Sequence, residues 1–263
     1  MEQHPNESSA IAVQSATALP GAGWKHRVRV VPGHIPAGSP LLPFDGRDPR
    51  SAEHYRIIRT KILQDPRNLR VLAVTSPQVG DGKSVSAVNI AAAMALRDGI
   101  SVLLVDADFR RSGLHVRLGL PDSPGFAEVL SGECSLEQAV IRVSEVTPSF
   151  YFLPAGRATR NPVELLASER LALRCAEIRR EFAFAVIDTP PIGLVADHEL
   201  IQMVSDGVIL VVRPDHTSRR RVFAALQSIP KERLIGVVTN CVPDWLLTKS
   251  LYHDYGYYGE RNG

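Results

Sequence analysis

The chain has 263 residues, of which 44% are hydrophobic and 22% charged, and its formal net charge is +2. This length is enough for one α/β domain with a real core, and so small a charge gives no reason to expect a nucleic-acid partner. The three cysteines form no CxxC pair, which excludes a disulfide or cysteine–zinc framework and suits a reducing compartment. No apolar stretch approaches the ~20 residues that span a bilayer, and we recognise no signal segment at the N-terminus.

The first predicted element is a helix that follows an irregular leader. Residues 1–44 are rich in proline, glycine, serine and histidine without sustained periodicity, so we predict a mostly disordered leader there. Asp48 before Pro49 is typical of a helix start, and the helix is predicted to run through Leu63. A charged arc on this helix is either a plain soluble surface or a subunit contact, and spacing alone does not decide between them. The arc consists of Glu53, Arg56 and Arg59.

Next comes an apolar strand over 71–74, a glycine-containing loop over 76–84 and a helix over 86–96. A phosphate cradle requires this order, because glycines turn backbone N–H groups toward the phosphates and a helix N-terminus adds partial positive charge. Lys83 can reach the β- and γ-oxygens, and the Ser84 hydroxyl can ligate Mg²⁺. Because Pro77 occupies the position of the first Walker glycine, the loop alone is equally compatible with a simple turn before a buried helix. The candidate nucleotide contacts of the loop are Val79, Gly80, Asp81, Gly82, Lys83, Ser84 and Val85.

Beyond this loop, short apolar strands alternate with helical stretches. Strands are predicted over 101–105, 150–153, 184–187, 207–212 and 234–239, and helices over 124–130, 135–140, 162–180 and 217–227. This alternation predicts an α/β fold, a doubly wound and mostly parallel sheet with helices on both faces. Ligands of such sheets bind beyond the carboxyl ends of the strands.

Polar side chains follow several of these strands. Asp106 and Asp108 end one strand and Asp188 ends another, so three carboxylates are expected near the phosphate loop. We predict Lys83, Asp106 and Asp108 as catalytic residues, and the sequence does not rank the two aspartates as the base. The predicted Mg²⁺ ligands are Ser84, Asp106 and Asp188. Arg213 and Asn240 follow two later strands, where an adenine could sit.

Tyrosine is concentrated at the C-terminus. Four of the six tyrosines fall within residues 252–258, among glycine, aspartate and histidine. Aromatic side chains usually bury surface, but a polar terminus offers little surface to bury them. We therefore predict a P-loop domain over 45–245 and a flexible tail over 246–263 whose phenols are candidate phosphate acceptors, although one or two of them could pack. The candidate acceptors are Tyr252, Tyr255, Tyr257 and Tyr258.

Together these motifs resemble the bacterial tyrosine kinases of the P-loop type, the cytoplasmic autokinases of capsule and exopolysaccharide systems. The likeness runs from about Asp48 to Tyr258, and only the tail and the first motif separate this family from its relatives. The motifs are Glu53-x-x-Arg56-x-x-Arg59-Thr60, Val105-Asp106-Ala107-Asp108-Phe109-Arg110-Arg111, Leu153-Pro154-Ala155-Gly156, Asn161-Pro162-x-Glu164-Leu165-Leu166, Val186-Ile187-Asp188-Thr189-Pro190-Pro191 and the tyrosine tail.

The resemblance implies autophosphorylation with ATP and Mg²⁺, in which one subunit's tail enters a neighbour's active site within a ring held by Glu53, Arg56 and Arg59. It also implies a membrane-embedded polysaccharide chain-length regulator as activator, expected here on a separate chain, and a tyrosine phosphatase. The protein is then expected in the cytoplasm, recruited to the inner face of the membrane through that partner. Phosphate on clustered tyrosines adds negative charge, so the tail should leave its neighbour's site and the ring should loosen.

Some residues depart from the family pattern. Val79 replaces a usual proline, and Val85 replaces a Ser/Thr whose hydroxyl could contact the α-phosphate. Gln78 stands where partitioning ATPases carry a signature lysine, which counts against that relative. The main competing hypothesis is a P-loop ATPase switch or scaffold with inert tyrosines. An iron–sulfur carrier ATPase is a more distant alternative, because CxxC is missing.

Two arginine groups have no assigned role at this point. Arg110 and Arg111 could steady phosphates, pair with a neighbouring subunit or simply lie on the surface. The basic run 219–221 is interpreted as a solvated helix face, with an acidic partner or a neighbouring subunit as the alternative.

Overall fold

The computed structural model describes residues 23–36, 39–42, 44, 46–122, 124–193 and 196–242. The four predicted acceptor tyrosines and the rest of the proposed tail lie outside these residues, as does most of the proposed leader. Among the described residues, no helix is long and apolar enough to cross a membrane.

The described strands form one sheet. Their bounds are β1 Arg29–Val31, β2 Val71–Thr75, β3 Val102–Asp106, β4 Ile141–Val143, β5 Phe150–Leu153, β6 Phe184–Asp188, β7 Gly207–Val212 and β8 Leu234–Thr239. Their spatial order is β1-β4-β5-β3-β6-β2-β7-β8. Every neighbouring pair is parallel except β4 with β5, so the predicted doubly wound, mostly parallel sheet is confirmed.

Helices connect the strands and cover the sheet. They are α1 Pro49–Leu63, α2 Lys83–Ala95, α3 Leu114–Leu118, α4 Phe126–Ser131, α5 Leu136–Ala139, α6 Pro162–Leu166, α7 Glu169–Glu181, α8 Asp197–Val204 and α9 Arg219–Ser228, with a short 3₁₀ helix at Trp24–His26. The predicted start of α1 is confirmed, since the Asp48 side chain accepts a hydrogen bond from the Ser51 N–H at 3.0 Å.

The core lies on both faces of the sheet. β2, β3 and β7 are buried at every position, as expected of parallel strands covered on both sides. α2 is rich in alanine and nearly all buried, which allows close packing between the sheet and α1. The other apolar cluster packs α4, α7 and α8 against the opposite face. This core holds the carboxyl ends of β2, β3 and β6 side by side.

The leader over residues 1–44 is predicted to be mostly disordered, yet one segment of it forms a strand. β1 pairs in parallel with β4, with Val30 beside Arg142. Trp24 packs edge-on against Phe182 at a ring distance of 5.7 Å. The alternating sequence Arg27-Val28-Arg29-Val30-Val31 carries a strand pattern that the surrounding composition hides. The other proposed domain boundaries stay predictions.

Further elements also differ from the sequence predictions. The single helix predicted over 162–180 is two helices, because Ser168 has an extended conformation (ψ 149°) between α6 and α7. β4 follows directly after the short helix α5, where no strand was predicted. α8 is a further helix without a predicted counterpart, and it follows the segment after β6 that contains Pro190 and Pro191.

Candidate functional site

The phosphate loop joins β2 to α2 in the conformation that its glycines allow. Gly80 and Gly82 have φ of +93° and +90°, a region that disfavours other residues. A Cβ at Gly82 would overlap the side-chain amide of Asn240. α2 begins at Lys83, immediately after Gly82, so its first N–H groups lie at the loop. The sequence therefore builds a cradle in which backbone N–H groups are available to an anion.

Asp81 holds this loop from the inside. Its carboxylate is fully buried and accepts hydrogen bonds from the Gln78 N–H, at 3.2 Å, and from the Thr217 hydroxyl. Its backbone carbonyl accepts a hydrogen bond from Asn240 Nδ2 at 3.0 Å. Asp81 and Asn240, both predicted to contact nucleotide, are thus joined to each other and shape the cradle.

Three aspartates converge beside Lys83. β3 and β6 are neighbours in register, which sets Asp106 directly opposite Asp188. Lys83 Nζ lies 2.9 Å from Asp108 Oδ2, 3.3 Å from Asp188 Oδ1 and 3.2 Å from Ser84 Oγ. The structure therefore brings together all five residues predicted to be catalytic or metal-binding.

Asp106 and Asp108 are held differently within the loop after β3. Asp106 accepts N–H hydrogen bonds from Asp108 at 3.2 Å and from Gly113 and Leu114 at 3.3 Å each. One oxygen of Asp108 accepts a hydrogen bond from Lys83 Nζ, and its other oxygen accepts one from the Arg111 N–H at 3.1 Å. Asp106 is thus fixed by backbone donors, whereas Asp108 is neutralised by a side chain.

The site holds an excess of negative charge in a buried space. Burial and the neighbouring charge of Asp188 raise the pKa of Asp106 to about 7, despite its three N–H donors. Burial raises the pKa of Asp188 as well, although Lys83 opposes the shift. Burial would lower the pKa of Lys83, but the attraction of Asp188 and Asp108 outweighs it, so this pKa is raised. One cation does not neutralise three carboxylates, and a divalent cation would supply the missing charge.

The donor set fits Mg²⁺. Mg²⁺ prefers oxygen ligands and usually keeps several waters while binding one or two carboxylates and substrate phosphates. Ser84, Asp106 and Asp188 offer such oxygens beside the cradle. Among the described residues, no group of three His, Cys, Asp or Glu side chains is arranged to hold a metal ion. Ser84, Asp106 and Asp188 would therefore hold the ion together with a bound phosphate and waters.

α8 supplies functional partners that the sequence analysis missed. Its first residue, Asp197, is fully buried and accepts two hydrogen bonds from the Arg110 guanidinium, at 3.0 and 3.2 Å. The next residue, His198, lies 3.1 Å from the Thr189 hydroxyl through Nδ1. α8 thereby connects the loop after β3 to the loop after β6. A short helix carrying Asp-His gives no recognisable signal in a single sequence.

The predicted oligomerisation residues separate into two environments. Glu53 and Arg56 are exposed and form a 3.1 Å ion pair with each other. Arg59 instead donates to the Ala93 carbonyl of α2 at 3.1 Å. That carbonyl belongs to the last turn of α2, where backbone acceptors lack helical partners, so Arg59 caps the helix.

The remaining predicted residues lie around the phosphate loop. Val79 is exposed on the loop, and Val85 packs against the apolar cluster between α1 and the sheet. Arg213 is exposed at the end of β7. The basic run 219–221 forms the first turn of α9, where Arg221 donates to the side-chain oxygen of Gln78. The structure thus brings Gln78 together with α9 at the edge of the loop.

Comparisons with known proteins point to one family. Residues 69–232 match the AAA domain family. The chain is 33% identical over 221 residues to tyrosine-protein kinase YwqD of Bacillus subtilis, covering 82% of this chain and 90% of that protein. It is 31% identical over 216 residues to tyrosine-protein kinase CpsD of Streptococcus agalactiae, covering 81% and 92%. The crystal structure of the chimerical protein CapA2B2 matches with a TM-score of 0.73 and 29% identity, covering 82% of this chain and 95% of that one.

Proposed function

The chain belongs to the bacterial tyrosine-protein kinases with a P-loop fold, and from this we propose that it transfers the γ-phosphoryl group of ATP to tyrosines of its own C-terminal tail. The transfer takes place in trans, from the active site of one subunit to the tail of another. The observation that carries the proposal is the convergence of Lys83, Ser84 and three aspartates at the end of the phosphate loop.

Substrate binding begins at the cradle. The N–H groups of residues 79–85 and the start of α2 bind the phosphates of ATP, with Asp81 and Asn240 keeping the loop in shape. Lys83 leaves Asp108 for the β- and γ-oxygens, a change that its long side chain permits. This move exchanges one anionic partner for another, so the lysine stays charged throughout.

Ser84 and Asp188, with Asp106 as a further candidate, would hold Mg²⁺, which neutralises charge that develops on the transferred group. This fits the excess of carboxylates over cations in a buried site. The protein's own part is largely positioning, because phosphoryl transfer needs little covalent chemistry from the enzyme.

One carboxylate must accept the proton of the attacking phenol. We assign this role to Asp106, because burial and the charge of Asp188 raise the pKa of Asp106 to about 7 and so raise its affinity for a proton. With one Asp106 oxygen as the base, Ser84 and Asp188 would be the main metal ligands.

The proposal is tested with purified protein, ATP and Mg²⁺, with phosphotyrosine as the readout. We expect signal in the wild type, or once the activator's cytoplasmic segment is added. Lys83→Met should abolish the signal, and replacing Tyr252, Tyr255, Tyr257 and Tyr258 with phenylalanine should remove most of it. ATP binding with no labelled tyrosine under any condition would leave a nucleotide-operated scaffold instead.

We place the contact between subunits on α1, through Glu53 and Arg56. Both side chains are exposed and their mutual ion pair is weak at a surface, so both can pair with another subunit. Glu53→Ala with Arg56→Ala should reduce the oligomer size on a sizing column. Arg59 is a poor probe because it also caps α2. An unchanged oligomer in the double variant would reject this helix as the contact.

The proposal also includes the cellular role that the family resemblance implies. A membrane-embedded polysaccharide chain-length regulator on a separate chain recruits the kinase to the inner face of the membrane and activates it. Cycles of phosphorylation, reversed by a tyrosine phosphatase, then control exopolysaccharide or capsule assembly or export. Cell fractionation with and without the regulator tests the recruitment. Loss of the membrane-bound fraction in its absence is the expected result.

A further inference from the structure

One turn lies along the edge of the phosphate loop. It covers residues 213–217 and joins β7 to α9. The carbonyl of Arg213 accepts hydrogen bonds from the N–H groups of His216, at 3.3 Å, and of Thr217, at 3.0 Å. Asp215 has a φ of +61°, a left-handed conformation that aspartate adopts more readily than most residues. The β7–α9 turn is thus held in one shape by its own backbone.

His216, which is exposed, holds the outer side of the phosphate loop. Its backbone carbonyl accepts a hydrogen bond from Gln78 Nε2 at 2.9 Å. Its Nε2 lies 3.2 Å from the carbonyl oxygen of Val79, and because a carbonyl only accepts, the imidazole carries a proton on this nitrogen. A Cβ at Gly80 would lie 2.9 Å from the same Nε2. One histidine therefore lies against three successive residues of the loop.

Thr217 reaches the buried side of the same loop. Asp81 is fully buried, and its two carboxylate oxygens have different donors. The Thr217 hydroxyl donates to Oδ1, and the Gln78 N–H donates to Oδ2 at 3.2 Å. Removing a donor from a buried carboxylate costs free energy, because a buried oxygen has no water to replace the lost hydrogen bond. The Thr217 hydroxyl therefore keeps Asp81, and the loop around it, in place.

We propose that His216 and Thr217 are positioning residues that hold residues 78–81 in the phosphate-binding conformation before the nucleotide arrives. This role rests on the proposed function, since the phosphates are those of ATP. Glycine gives a free loop many conformations, and in the cradle Gly80 has a positive φ of +93°. A loop that is already ordered loses less conformational entropy when its ligand binds. The β7–α9 turn therefore raises the nucleotide affinity of the cradle through the loop.

A positioning role of this kind changes binding rather than chemistry. Thr217→Val removes the hydroxyl at almost unchanged volume, whereas Thr217→Ser keeps it. In the valine variant we expect the Kd for Mg²⁺-ADP, measured by calorimetry, and the KM for ATP to rise about tenfold, the effect of losing one hydrogen bond to a carboxylate. The kcat should stay within about twofold of wild type, because the loop binds substrate and transition state alike. The serine variant should bind like the wild type.

A second variant and a control use the same measurement. His216→Ala opens the space beside Gly80 and should raise the Kd for Mg²⁺-ADP several-fold. Thr147→Val is the matched control, because Thr147 is also half-buried and its hydroxyl donates to the Ala95 carbonyl at 3.3 Å. Thr147 precedes β5, whereas the phosphate loop follows β2, so the two lie at opposite ends of the parallel strands. The control should bind Mg²⁺-ADP like the wild type.

Hydrogen exchange without nucleotide measures the order of the loop itself. The amides of residues 78–82 should exchange several-fold faster in Thr217→Val than in the wild type, and saturating Mg²⁺-ADP should reduce this difference. The amides of β3 and β6 should exchange alike in both proteins. A loss of global stability alone would speed exchange in these strands as well, and would overturn the positioning role.

The binding data can also overturn this role. Unchanged affinity in Thr217→Val, beside a wild type that binds Mg²⁺-ADP, would show that the hydroxyl does not position the loop. An equal loss of affinity in Thr147→Val would assign the effect to general destabilisation, and a fall in kcat at unchanged KM would place Thr217 in the chemical step. A wild type that binds no Mg²⁺-ADP would overturn the proposed function and this role with it, so the two failures are distinguishable.

Discussion

Replacing Asp106 with asparagine is expected to stabilise the nucleotide-free protein at neutral pH while abolishing phosphoryl transfer. Burial and the charge of Asp188 raise the pKa of Asp106 from 3.8 to about 7. Each pKa unit corresponds to about 1.36 kcal/mol, so the ionised side chain lowers the free energy of unfolding by about 4 kcal/mol above pH 7. The site thus holds this carboxylate at a cost in stability.

The Asp106→Asn variant should regain part of this free energy of unfolding. Three backbone N–H groups donate to the Asp106 carboxylate. The N–H of Asp108 donates to one oxygen, and the N–H groups of Gly113 and Leu114 donate to the other. The asparagine NH₂ must face one of these N–H groups, at a cost of about 1–3 kcal/mol. A net gain of about 1–3 kcal/mol remains. It corresponds to a rise in Tm of about 2–4 °C for each kcal/mol at this domain size.

The pH dependence gives the sign of the effect. Between about pH 4 and pH 7 the folded protein keeps a proton on Asp106 that the unfolded chain has released. The contribution of Asp106 to the free energy of unfolding therefore falls as pH rises through this window. Comparing variant with wild type at each pH removes the contribution of the other titrating groups.

Urea denaturation at pH 5 and pH 8, with EDTA present, measures the difference. Asp106→Asn should be more stable than wild type at pH 8, and its advantage should shrink or reverse at pH 5. Asp98→Asn, a change of an exposed aspartate, is the control and should follow the wild type. A variant that is less stable than wild type at pH 8, or whose difference does not change with pH, would refute this account of Asp106.

Three further predictions concern the supports of the site. Arg59→Ala removes a charged donor from the Ala93 carbonyl and should lower the free energy of unfolding by about 1–3 kcal/mol in urea, whereas Arg59→Lys should retain part of it. Arg110→Met leaves the fully buried Asp197 without its guanidinium partner, so thermal unfolding should show a loss of about 1–3 kcal/mol that Asp197→Asn in the same protein partly restores. Burial lowers the pKa of His198 to about 4, so its contribution to stability should be complete above pH 6.5 and lost as pH falls toward 4. His198→Gln should flatten this acid limb in denaturation curves, and an unchanged limb would contradict the assignment.

The sequence predicted the centre of the fold and of the site because both depend on local patterns. Apolar runs ending in Asp106 and Asp188 indicated parallel strands, and parallel strands bring their carboxyl ends to one edge. The glycines of the loop before Lys83 and the helical spacing of the apolar residues after it are both recognisable in the sequence. Because β2 and the two aspartate-bearing strands end at the same edge of the sheet, Lys83 lies close to the aspartates.

Other features depended on contacts between distant parts of the chain. β1 is a strand because β4 pairs with it, and the short alternating pattern of residues 27–31 is hidden by the composition around it. Arg59 matches a family motif for subunit contact, yet its guanidinium reaches a carbonyl at the end of α2, 34 residues away. Asn240 supports the phosphate loop because β8 ends beside it. Such partners are set by tertiary packing, which periodicity in one chain does not encode.

A mixing experiment tests the central claim most directly. One protein carries phenylalanine at Tyr252, Tyr255, Tyr257 and Tyr258 and keeps its active site, and the other carries Lys83→Met and keeps its tail. Each protein is incubated alone and then both together with ATP and Mg²⁺, and phosphate is mapped by mass spectrometry. We predict no phosphate on the tail of either protein alone and phosphate on the tail of the Lys83→Met protein in the mixture. A mixture without phosphate on that tail, while the wild type labels its own, would contradict transfer between subunits.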